Sequence, residues 1–171
     1  MLKLPRTIRL DPSDSLIFEL PAAPGEWALP GGFAFWDEDP AQMPGKRRQA
    51  FRSGWLGTKT FGFSTLVEVA GDLSEPLQSL EIALAEQILA RYGAPDMAAA
   101  RAAAAEEWRF AAELCAPHPV GTVLALNRSL EGGELRETFR SLHRRESAPV
   151  FAIIEDETPA EAMDLRSLPH G

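Results

Sequence analysis

The segment GKRRQAFRSGWLG, from Gly45 to Gly57, sets Lys46, Arg47, Arg48 and Arg52 around Phe51 and Trp55. From Pro40 to Val67 there are five bases, Lys59 being the last of them, and no acid, in a chain of net charge -8. If Pro44 starts a short helix that Gly54 ends, Arg48 and Arg52 share one face at i, i+4. Two guanidiniums so placed can grip a carboxylate or phosphate in bidentate fashion, with Trp55 as a flat wall beside them. The competing reading is local pairing. Asp37, Glu38 and Asp39 stand just upstream and can neutralise the same bases, an arrangement that adds little stability. Most charge runs are solvated faces, which favours that second reading for the segment taken alone.

Other candidate chemistry is thinner. Cys115-Ala-Pro-His118 has a chelating spacing, but zinc needs three or four ligands and the chain has three histidines and no second such pair. A buried thiol at a helix end is the simpler reading, so no metal site is expected. Gly62-Phe-Ser64 lacks the second glycine of a nucleophile elbow. Neither the P-loop nor the dinucleotide fingerprint occurs, so no cofactor is implied. Adjacent acids such as Glu106-Glu107 and Glu155-Asp156-Glu157 read as solvated faces. Nothing here supports an enzyme.

The elements that must position these residues divide into three blocks. The first is rich in β signals: Thr7–Leu10, a DPSD turn, and Leu16–Leu20 as a returning strand. Trp27–Trp36 reads as a second hairpin turning at Pro30-Gly31-Gly32, and Phe61–Ala70 as a single strand. Two helices follow. Ser74 and Gly93 bracket one with an apolar face of Leu77, Leu80, Leu84, Ile88 and Tyr92. Asp96 opens the other, whose stripe of Met97, Ala100, Ala104, Trp108, Ala111 and Cys115 is mostly small. After Gly121 the period returns to two, with a hairpin over Thr122–Leu142 turning at Gly132-Gly133. Its many charges (Arg128, Glu134, Arg136, Glu137, Arg140) imply a water-facing side and hence an antiparallel sheet. Val150–Ile154 is a last strand.

This order predicts an α+β fold, mainly an antiparallel sheet with a central two-helix hairpin packed on one face. One domain over residues 1–154 is expected, with an acidic, loosely held tail over 155–171. A single cysteine excludes an intrachain disulfide and fits a reducing compartment. The sequence pI near 4.9 argues against nucleic-acid binding and against a polybasic membrane anchor. With no apolar spanning segment and no secretory pattern, the chain reads as cytoplasmic.

GEWALPGGFAF (25–35), the 45–57 segment, TLVEVA (65–70), AAELCAPHPVGT (111–122) and GELRETFRSL (133–142) resemble a family of small bacterial proteins carrying a domain of unknown function. The resemblance spans residues 5–142. Such proteins are encoded near accessory components of molybdenum-dependent formate dehydrogenase systems and a lipoate-ligase-like protein, which implies an accessory or interaction role and supplies no catalytic residues. Two functions therefore compete. One is a non-enzymatic cytoplasmic module that binds an acidic protein surface through residues 45–57 and the exposed aromatics around them. The other is a binder of, or enzyme acting on, a small anionic ligand in a cleft bordered by Arg48, Arg52, Trp55 and Lys59. A deep pocket favours the ligand, and a shallow patch favours the partner. Homodimerisation through the alanine-rich helix or an open sheet edge is compatible with both.

Overall fold

The computed structural model describes residues 1–9, 13–144 and 151–157. Among the described residues, eight strands and four α-helices combine into an α+β fold with two antiparallel sheets. The larger sheet has the strand order β1 (Leu4–Ile8), β5 (Leu66–Ala70), β6 (Val123–Glu131), β7 (Glu134–Arg144) and β8 (Phe151–Glu157). The smaller has the order β2 (Ala28–Leu29), β3 (Trp55–Gly57) and β4 (Phe63–Ser64).

Helix α3 (Leu77–Arg91) and helix α4 (Met97–Cys115) form where the apolar period is 3.6. The Asp96 carboxylate accepts from the Ala99 N–H at 2.8 Å and caps α4. Ala100, Ala104 and Ala111 are fully buried, and the small stripe lets α3 come close enough for Trp108 Nε1 to donate to the Leu80 carbonyl at 3.2 Å. One face of the larger sheet, carrying Val67, Val69, Leu124, Leu126 and Phe139, packs against Leu114 and Cys115 of α4 and against Ala28 and Trp55 of the smaller sheet.

The β6–β7 hairpin turns at Gly132 and Gly133, both with positive φ, as a tight turn between twisted strands demands. The last strand runs past residue 154 to Glu157. Residues 158–171, the rest of the expected tail, lie outside the described residues.

Three local expectations are corrected. Residues 16–20 are not a returning strand: Ser13–Ile17 form the short helix α1, and Phe18 drops into the core. Ser13 and Asp14 suit the first turn of a helix as well as they suit a β-turn. The 27–36 hairpin does not form either. Gly31 takes φ 76, and its backbone approaches so closely that a Cβ there would lie 2.6 Å from Leu56 Cβ. The chain then enters a 3-10 turn over Gly32–Phe35, and β2 pairs with the distant β3. Finally, the 61–70 strand is split at Thr65, so that β4 serves the smaller sheet and β5 the larger.

Candidate functional site

Helix α2 (Gly45–Ser53) runs from Pro44 to Gly54, as the proline and glycine positions require, and carries four of the five bases. Arg47 is engaged locally. Its Nε donates to Glu38 Oε1 at 3.0 Å, its Nη2 to the Ala34 carbonyl at 3.0 Å, and its guanidinium lies 4.3 Å from the Phe35 ring centroid. Arg48 donates to the Pro40 and Met43 carbonyls at 3.3 and 3.1 Å and keeps an exposed face. Asp39 instead caps the 3-10 turn at Pro40–Gln42. Among the described residues, Lys46, Arg48, Arg52 and Lys59 have no carboxylate partner, and all four are exposed. Local pairing therefore accounts for Arg47 alone.

Trp55 is fully buried against Phe139, so it is no wall for a ligand; its Nε1 has no hydrogen-bond partner among the described residues. The reason is parity. Trp55 opens β3 with its side facing the larger sheet, whereas Lys59 lies in the turn beyond that strand. The exposed tryptophan is Trp36, 73% accessible, directly after Phe35, which is buried beneath Arg47.

Beside α2 lies a recess of about 140 Å³ lined by Glu19, Leu20, Lys46, Arg47, Phe61 and Phe63. Its floor is held in an unusual way. Phe61 has φ 58, a conformation that is costly for a bulky side chain. The turn that imposes it is fastened by the buried Glu26 carboxylate, which accepts from the N–H groups of Ala23, Lys59 and Thr60 (2.6, 2.9 and 2.8 Å) and from Thr60 Oγ1 (2.7 Å). Nothing in the composition of residues 45–57 pointed to Glu26, since its partners in this turn, Lys59 and Thr60, are more than thirty residues away.

A second group was missed outright. Arg128 and Glu137, expected on a water-facing side, are 1% and 3% exposed and pair at 2.8 Å. Arg128 also donates to the Phe51 carbonyl at 2.8 Å and to the Pro30 carbonyl, joining α2 and the 30–31 turn to β6. The signal was present in the alternation. Arg128 follows Leu124 and Leu126 at even spacing, and Glu137 precedes Phe139, so both belong to the core face.

On α4, burial pushes the Glu107 carboxyl up to about 7, with the Glu137 and Glu106 charges acting in the same direction and Arg128 opposing them. A carboxyl raised in the folded state carries no penalty below its unfolded value of 4.5; the penalty builds between there and about 7 and is complete above. Glu107→Gln should therefore stabilise the chain by about 1–2 kcal/mol at about pH 8, a figure reduced for the group's partial exposure, and by nothing near pH 4. Urea denaturation of both proteins at the two pH values checks this, and equal gains at both would refute it.

Cys115 is buried, and burial pushes its thiol up to about 12, which leaves it protonated and a poor nucleophile. Among the described residues, no group of three or more His, Cys, Asp or Glu is arranged to hold a metal ion. Ser64 Oγ donates to the Leu66 carbonyl at 2.8 Å, within the β4–β5 step. Among the described residues, no helix is long and apolar enough to cross a membrane.

Fold and site together define an α+β protein with a basic, phenylalanine-floored recess. The chain belongs to a family of unknown function (DUF6505), which matches residues 1–158 and so takes in the last strand. No curated protein and no solved structure matches it.

Proposed function

We propose that this chain is a non-enzymatic accessory module that docks an acidic protein surface on α2 and the loop before it. The observation that carries the reading is the recess beside α2. At about 140 Å³ it is well below the roughly 300–1,000 Å³ of small-molecule pockets, yet it suits one apolar side chain of a partner. Lys46 stands at its rim, Arg48 and Arg52 extend the positive face along the helix, and Trp36 is the type of exposed aromatic that anchors interfaces. A metabolite cleft beside the same segment is disfavoured by that size and by the inward turn of Trp55. A partner within a redox enzyme system rests on the sequence resemblance alone.

The test is purification of the tagged chain from its native cell. Arg48→Glu with Arg52→Glu, and separately Trp36→Ser, should each lower the same co-purifying protein by at least about tenfold, since an interface anchor contributes ~2 kcal/mol or more. All these positions are exposed, so the melting temperature should hold. Partner recovery at wild-type levels in both variants would end this reading.

A further inference from the structure

A second cavity, of about 770 Å³, shares no lining residue with the recess beside α2. Strand register builds its floor. Arg6 lies opposite Glu68, Glu68 opposite Val123, and Val123 opposite Leu142, one row across four strands on the face away from the Val67–Leu124 core. The row is polar at one end and apolar at the other, with Ile8 beside it on β1.

Both walls are tied down. At residues 24–25, the Gly25 N–H donates to the Thr7 carbonyl at 2.8 Å and Thr7 Oγ1 to the Ala23 carbonyl at 2.7 Å. At residues 119–122, Gly121 N–H donates to the Val69 carbonyl at 2.8 Å and Thr122 Oγ1 to the Pro119 carbonyl at 2.7 Å. A groove fixed in this way requires little ordering when something enters it.

Its charges are unequal in kind. Arg6 is neutralised by Glu68 at 3.1 Å and Asp72 at 3.0 Å. Arg9 is not. Its Nη2 donates to the Ala22 carbonyl at 2.6 Å, its Nε is shielded from water with no acceptor, and no carboxylate pairs with it among the described residues. The groove therefore offers a fixed guanidinium that no carboxylate compensates among the described residues, beside an apolar strip, in a volume typical of small-molecule sites.

We propose that this groove binds a small carboxylic acid with an apolar body, the carboxylate held by Arg9 and the body lying over Ile8, Val123 and Leu142. A guanidinium presents the planar donor pair that a carboxylate accepts. A dianionic phosphate is the poorer fit, because Glu68 and Asp72 flank the row and the whole chain is at -8.

Decanoate is the probe, titrated below its micellar concentration into the full chain, with decanol and decyl phosphate as comparisons. Expected is saturable one-to-one binding of decanoate, with decanol and decyl phosphate each weaker by at least about tenfold. The amide resonances of Gly25 and Gly121 should shift in proportion to occupancy, a readout that needs no variant. Arg9→Gln should weaken decanoate binding at least about tenfold. Val120→Asp, at a rim position 55% exposed and so safe for folding, should weaken it in the same direction. Arg48→Glu with Arg52→Glu should leave it unchanged. Absence of saturable binding, decanol binding as tightly as decanoate, or shifts that avoid Gly25 and Gly121 would each overturn the proposal.

Discussion

Arg128→Ala should destabilise the chain by about 3–5 kcal/mol, the range seen when one partner of a buried ion pair is removed. Three losses coincide. Glu137 is left as a buried carboxylate without its cation, and the Phe51 and Pro30 carbonyls lose their donor. The guanidinium also leaves its place between the rings of Phe35 and Phe51, at 5.4 and 5.9 Å from their centroids. For a chain of this length the melting temperature should fall by roughly 10 °C. Urea denaturation of Arg128→Ala, Glu137→Ala and the double variant measures the coupling. The pair should lose far less together than the single losses summed, because the double variant strands no buried charge. A single-variant loss below about 1 kcal/mol would mean that the buried pair is not as described. Since Arg128 holds the C-terminal turn of α2 to β6, partner recovery should fall as well.

Glu26→Ala should cost about 3 kcal/mol, since each buried donor left unpaired costs about 1–3 kcal/mol and part of this turn can reach water. Three N–H groups and one hydroxyl lose a common acceptor. The turn that forces Phe61 to φ 58 is then released, and relief of that strain offsets some of the cost. Glu26→Gln keeps the size but presents an amide NH2 to donors, so it should recover little. The structural readout is the Phe61–Tyr92 contact, with ring centroids at 6.4 Å, seen as cross-peaks between the two rings. Survival of those cross-peaks in Glu26→Ala would show that the carboxylate does not set the floor of the recess.

Much of the helical part was legible from local signals. Pro44 and Gly54 bound α2, Asp96 caps α4, and the stripe from Ala100 to Cys115 is the buried face of that helix. The patch of bases was legible too, but not the fate of its members: Arg47 alone meets an upstream acid, Glu38, and Trp55 turns inward. Nor was the recess, whose floor comes from β4 and the turn before it and whose support comes from Glu26.

The chain's own neighbours along the sequence determine its helices and its glycine turn at 132–133, because capping, helical period and turn geometry act over a few residues. Which strand β2 takes, which side Arg128 faces and what Glu26 holds were decided only on folding. A strand's partner and a side chain's burial depend on segments tens of residues away, brought together by the common core, and charge or alternation states a preference without naming the surface that satisfies it.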